Sequence, residues 1–226
     1  MLIAAAGVAI AHTVLGPDHY LPFVMIARAR RWTLARTLTV TGACGVGHVG
    51  SSVLLGLLGI AFGIAVGRIE GVESHRGTVA AWLLVGFGLA YAVWGLRHAL
   101  RRAGGYELHG HGDAVHVHTH GDHAHQHEQP GGGNVTFWTL FAVFVLGPCE
   151  PLIPLFILPA SRGRWGLAIA TAVVFGVITV ASMLVVTAAG HAGLATIRLG
   201  ALERWSHSLA GVVIAASGLA VIFLGL

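Results

Sequence analysis

The sequence predicts an all-α integral membrane protein: six transmembrane helices, arranged as two inverted three-helix repeats whose first helices are broken by proline. Three observations lead there. Only 10% of the 226 residues are charged and 55% are hydrophobic, with a mean hydropathy of +0.78, whereas a soluble domain carries about 25% charged residues. The apolar runs reach the roughly 20 residues that a helix needs to cross a bilayer, and they do not alternate as the strands of a membrane barrel would. The tetrapeptide Val14-Leu15-Gly16-Pro17 returns as Val145-Leu146-Gly147-Pro148, each time inside an apolar run.

The spans follow in order. The first covers residues 3–27 and is interrupted by Gly16-Pro17. It follows no basic n-region and no small-residue cleavage site, so it is expected to stay as a helix. The second covers 37–66, long enough to tilt. The third covers 78–99. The fourth covers 135–159 and holds Pro148, Pro151 and Pro154. The fifth and sixth cover 165–189 and 207–226. Between the third and fourth lies "ELHGHGDAVHVHTHGDHAHQHEQPGGGN", which has no apolar period and a Gly-rich end, and is expected to be largely disordered without a ligand. The chain therefore divides into a first repeat (1–99), a His-rich flexible loop (100–134) and a second repeat (135–226).

The repeat extends beyond the tetrapeptide. At the same offset, "GVGHVGSS" at 45–52 aligns with "GVITVASM" at 176–183. With a one-residue slip, "GFGLAYAVWGL" at 86–96 aligns with "ASGLAVIFLGL" at 216–226. A unit with an odd number of helices must insert upside down the second time, which gives an inverted-topology repeat with a site near the midplane where the broken helices meet. Proline removes a backbone donor and frees a carbonyl. At membrane depth that is tolerated only against protein or a water-filled cavity.

All thirteen basic residues are arginine. Arg28, Arg30, Arg31, Arg36, Arg97, Arg101, Arg102, Arg198 and Arg204 fall on one side, and Arg68, Arg76, Arg162 and Arg164 on the other. The bias puts the His-rich loop in the cytoplasm and both termini outside; a bacterial or archaeal inner (plasma) membrane is the expected location. Arginines at the ends of apolar runs report orientation rather than nucleic-acid binding. Two cysteines are too few for a disulfide scaffold. The expected partners are the bilayer and a small ion; neither an enzymatic centre nor a fixed cofactor is expected.

The chemistry is expected in the broken helices. His12, Asp18 and His19 interrupt the first span, and an aspartate inside a membrane helix costs at least a few kcal/mol unless it is partnered. His12 and His19 are two turns apart, and the break at Pro17 can draw them around one ion. His48 sits in the second span with Cys44 one turn before it. The repeat brings Cys149 and Glu150 to the positions of Asp18 and His19. Imidazole, carboxylate and thiolate together suit Ni2+, Co2+ or Zn2+ better than Ca2+ or Mg2+. The expected metal set is His12, Asp18, His19 and His48, with Cys149 or Glu150. Glu150 is read as a ligand or a proton carrier, and Cys44 as a packing residue or a ligand. Ser51, Ser52, Thr179 and Ser182 line the same route or bond their own backbone. In the loop, His109, His111, His116, His118, His120, His123, His125 and His127 recur largely as H-x-H, an imidazole array for metal capture.

These segments resemble a known family. "HTVLGPDH" resembles the H-x4–5-D-H signature of the nickel/cobalt transporter family (NicO type, including its nickel-efflux and urease-accessory membrane branches), within the LysE/DsbD-like membrane superfamily. "GVGHVGSSVLLG" is similar to that family's segment in the following helix, and a His-rich cytoplasmic loop occurs in the efflux branch. The resemblance implies transport of Ni2+ or Co2+, with His12, Asp18, His19 and His48 as ligands. Here Gly16-Pro17 replaces the acidic-alanine pair typical of the importers, and neither the ion nor the direction is carried over. A second resemblance gives a rival: "GPCEPLIPL" is similar to the Pro-Cys-x-x-Pro-Leu-x-Pro segment of membrane thiol–disulfide electron carriers of cytochrome c biogenesis. Those place one redox cysteine in each repeat, and here Asp18 stands opposite Cys149. A metal-sensing or storage membrane protein is the third reading, in which the duplicated breaks have no role.

Overall fold

The computed structural model describes residues 1–64, 66–103, 107–111, 114–118, 132–196 and 200–225. The elements are α1 (Leu2–Leu15), α2 (Leu21–Ala29), α3 (Leu34–Ala61), α4 (Val66–Ala103), β1 (Glu107–His111), β2 (Ala114–His118), α5 (Gly132–Leu146), α6 (Leu152–Ser161), α7 (Trp165–Thr196) and α8 (Ser206–Leu224). Among the described residues, α3, α4, α7 and α8 lie in helices long and apolar enough to cross a membrane. The pieces α1, α2, α5 and α6 have 14, 9, 15 and 10 residues. At 1.5 Å per residue none reaches a bilayer core of about 30 Å alone. Each consecutive pair is one apolar run cut at its Gly-Pro. The cuts are real ends: Pro17 and Pro148 have no N–H for the carbonyls of Thr13 and Phe144.

The third span differs from its expected bounds of 78–99. It begins at Val66, so Glu73 and Arg76 lie inside α4 rather than in the preceding loop. Charge lowers the hydropathy of residues 68–76, but no proline stops the helix there, and an acid–base pair three residues apart supports it. Residues 107–111 and 114–118 pair as antiparallel strands, with His109 opposite His116. The alternating "AVHVH" has the two-residue period and β-branched content that favour extended backbone. His120, His123, His125 and His127 lie outside the described residues.

Helix α7 packs against α1, α2, α3 and α6, and α4 runs along α8. Lipid is as apolar as a side chain, so such helices are joined by close packing rather than by burial from water. The α4–α8 pair shows how: a Cβ at Gly88 would overlap the backbone of Gly211 and Ala215. Two apolar clusters flank the centre. One holds Leu152, Ile153, Phe156 and Phe175; the other holds Phe23, Leu140, Phe144, Met183 and Ile214. The outer surface is apolar too, with Phe62 and Phe223 each 75% exposed. A soluble protein seldom leaves such a surface uncovered, and lipid covers it in a membrane protein.

Candidate metal centre

The centre is made by the first break. His12 lies in the last turn of α1. The Gly16 N–H still bonds the His12 carbonyl at 3.1 Å, then the chain turns through Pro17–His19 before α2 begins. On an unbroken helix, residues seven apart are separated by about 10 Å along the axis. Here the His12 and His19 rings meet edge to face with centroids 4.6 Å apart. Helix α3 delivers His48, whose ring lies 5.1 Å from His19 and 6.2 Å from His12. Phe175 from one apolar cluster and Phe144 from the other stand beside the group.

One ring nitrogen from each histidine lies within 4.8 Å of the others. The Nε2 atoms of all three are buried and have no hydrogen-bond partner. Their Nδ1 partners set the tautomer of two of them. His19 Nδ1 lies 3.3 Å from the Gly16 carbonyl and 3.1 Å from Asp18 Oδ1. His48 Nδ1 lies 3.3 Å from the Phe144 carbonyl. A carbonyl can only accept, so each Nδ1 donates its proton and each Nε2 keeps its lone pair. Orienting a metal-binding imidazole through its other nitrogen is how such ligands are held in metal sites. Pro148 contributes here, because it cannot give the Phe144 carbonyl its i+4 bond; that carbonyl accepts from the Gly147 N–H at 3.1 Å and from His48. Gly16 contributes by absence: a Cβ there would lie 2.6 Å from His19 Nδ1 and 2.9 Å from Asp18 Oδ1.

Three histidines that each offer one ring nitrogen within 4.8 Å of the others can hold a divalent transition metal. With metal–nitrogen bonds near 2.1 Å, tetrahedral nitrogens stand about 3.4 Å apart, so nitrogens at the 4.8 Å limit must draw in by about 1.4 Å. The three histidines line a cavity of about 480 Å³. Six waters of hydration need about 180 Å³ at 30 Å³ each, so the space admits an ion with its water. The cavity runs past Asp18, Phe144, Pro148 and Glu150 toward Ser74 and Thr78 of α4 and the end of α8 at Ile222 and Gly225.

The expected residues separate into groups. His12, His19 and His48 converge. Asp18 lines the same cavity and bonds His19 Nδ1 at 3.1 Å. Glu150 is exposed on the cavity. Cys149 is buried in the apolar cluster with Leu152 and Phe156, and Cys44 in the cluster with Phe23 and Met183; both are free thiols. Ser51 donates to the His48 carbonyl at 2.9 Å, and Ser52 to Glu73 at 3.2 Å. Thr179 is buried with its hydroxyl unpartnered, and Ser182 is half-buried. Sequence reasoning missed Glu73 and Arg76. Glu73 is fully buried, and its Oε1 lies 2.6 Å from Arg76 Nη1. The available signal was their spacing, three apart in a stretch with no helix breaker.

The fold and the site thus define a helical protein of membrane-spanning build with a buried three-imidazole centre at a helix break. No protein-family model, curated protein or solved structure matches the chain.

Proposed function

We propose that this chain is an integral membrane transporter of divalent transition-metal ions, with Ni2+ and Co2+ the cargo its signature resembles most. One observation carries the reading: three partnerless imidazole nitrogens meet at a proline break facing a cavity. Imidazole is a ligand for Ni2+, Co2+ and Zn2+ rather than Ca2+ or Mg2+. A storage or sensing site needs no such cavity beside a broken helix.

In this reading there are six spans, α1–α2, α3, α4, α5–α6, α7 and α8, in two inverted repeats. The packing supports it. The contact of α1 on α7 has its counterpart in α5 on α3, α2 on α8 in α6 on α4, and α2 on α7 in α6 on α3. The pairs α3–α7 and α4–α8 cross the centre between equivalent helices. Such repeats serve alternating access, one half rocking against the other around a fixed site. With Arg76 paired to the buried Glu73 within the span, the outer side keeps Arg68 at the start of α4, Arg162 and Arg164, which supports a cytoplasmic His-rich loop. The cavity touches the first half of α4 and the last turn of α8, away from Ala103, where the loop begins. It therefore faces outward in this orientation. Glu150 offers a carboxylate to the entering cation, and the loop gathers metal on the other side.

The test is flux of Ni2+ and Co2+ in proteoliposomes, with the parent beside Asp18→Asn. Asparagine keeps the shape but removes the charge that holds the His19 imidazole, a change expected to reduce metal affinity or flux about 10- to 100-fold. A folded Asp18→Asn protein that moves both ions like the parent defeats the site. A parent that moves neither defeats the function.

A further inference from the structure

We infer that Glu73 and Arg76 are positioning residues for the metal centre: buried against the second helix break, they hold it in the form that orients His48. The inference rests on the three-histidine site proposed above. The observation behind it is a substitution of hydrogen bonds. In an unbroken helix the Cys149 N–H would donate to the Val145 carbonyl. Here the Cys149 N–H donates instead to Ser52 Oγ at 3.2 Å and Glu73 Oε2 at 3.3 Å. The Val145 carbonyl accepts from Arg76 Nη2 at 2.7 Å. The ion pair, with Ser52, thus takes both ends of one of the helical bonds that the break has opened. An unpaired backbone group at this depth is costly, so the pair makes the open form tenable.

The connection to the metal runs through two neighbours. Arg76 Nη2 also donates to Ser51 Oγ at 2.9 Å, and Ser51 donates to the carbonyl of His48. On the other side, Val145 follows Phe144, whose carbonyl accepts from His48 Nδ1. Arg76 therefore ties α3 at Ser51 to α5 at Val145, the two pieces of backbone between which the His48 ring is set. Helix α4 is seated close to do this: a Cβ on Gly77 would lie 2.6 Å from Pro148 Cγ. Neither charge touches the three imidazoles in any contact seen, so the effect on the metal is one of geometry.

The test uses the full chain in detergent, with Co2+ as probe, read by its visible absorption, and thermal unfolding recorded alongside. Four variants are compared with the parent: Arg76→Met, Arg76→Lys, Ser51→Ala and the paired neutral change Glu73→Gln with Arg76→Gln. The paired change removes both charges, so no lone buried ion is left to unfold the protein. The expected result is a Co2+ affinity reduced roughly ten-fold in Arg76→Met and in the paired variant, with an altered band. Arg76→Lys restores much of both, because it keeps the charge beside Glu73, and Ser51→Ala gives a smaller loss with no loss of fold. A folded paired variant with the parent's affinity and spectrum overturns the inference and leaves the pair a structural feature only. A parent spectrum that depends on His48, in a protein that carries no flux, defeats the transport reading while these variants still decide the positioning role. A parent spectrum indifferent to His48→Ala overturns both.

Discussion

The two helix breaks start from the same tetrapeptide and are stabilised in opposite ways. The first is nearly self-contained. Its polar contacts come from within: His19 on Gly16 and Asp18, and a long 3.5 Å contact of the Tyr20 hydroxyl with the Val14 carbonyl. The second is held from outside by His48 and Ser52 of α3 and by Glu73 and Arg76 of α4. The Val145 carbonyl, counterpart of Val14, accepts an arginine at 2.7 Å. The difference teaches a division of labour. The first break supplies two of the three clustered imidazoles, and the second supplies the backbone carbonyl that bonds the third.

The largest expected effect tests that division directly. His19→Ala removes a ligand and is expected to abolish Co2+ binding. Glu150→Gln, at the counterpart position, is expected to leave equilibrium Co2+ affinity within about three-fold and to slow entry. Isothermal titration together with stopped-flow Co2+ uptake separates the two. Equal losses in both variants would mean that the breaks share the ion.

The glycines before the prolines give the next contrast. A methyl at Gly16 meets His19 Nδ1 and Asp18 Oδ1 at 2.6 and 2.9 Å, whereas at Gly147 the nearest atoms are the Phe144 carbonyl at 3.2 Å and His48 Nδ1 at 3.3 Å. Gly16→Ala must displace the pair that orients His19, and is expected to weaken Co2+ binding at least ten-fold. Gly147→Ala needs a shift of only a few tenths of an ångström and is expected to have a much smaller effect. The reverse order in a Co2+ titration would sink this account of the first break.

Pro148→Ala is expected to act in opposite directions on fold and site. It restores an N–H that can bond the Phe144 carbonyl, so α5 gains a helical bond. The same bond competes with His48 Nδ1 for that carbonyl. The variant should therefore melt no lower than the parent while binding Co2+ several-fold more weakly. Unchanged Co2+ affinity would show that the carbonyl does not set the ring.

The sequence made His12, His19 and His48 legible, because ligand-type side chains stand out in an apolar run, and the Gly-Pro pairs marked where the helices stop. It did not reveal what Asp18 bonds. That depends on how the turn through Pro17–His19 places it beside the His19 ring, which spacing alone does not show. Glu73 and Arg76 were hidden for a different reason. Hydropathy reads each charge by itself and places the span boundary after them, but the two cancel one another and satisfy Val145 and Cys149 only in three dimensions. Repeat alignment sets Cys149 opposite Asp18 along the chain. It could not show that the neighbours of the two side chains differ.

Cys149 gives the smallest expected effect and the clearest test of that last point. Its backbone N–H takes part in the second break, while its side chain is buried in the apolar cluster with Leu152, Phe156 and Phe175. Cys149→Ser keeps the N–H and places a hydroxyl among those side chains. Burying an unpaired hydroxyl costs about 1–3 kcal/mol in proteins, so the midpoint of thermal unfolding should fall. The metal centre should not notice, and Co2+ affinity should stay within two-fold of the parent. Adding Cys44→Ser should leave that affinity unchanged, because Cys44 lies in the other cluster. A thiolate–cobalt charge-transfer band in the parent that disappears in Cys149→Ser would make the thiol a ligand after all, and the second break would then share in binding the ion.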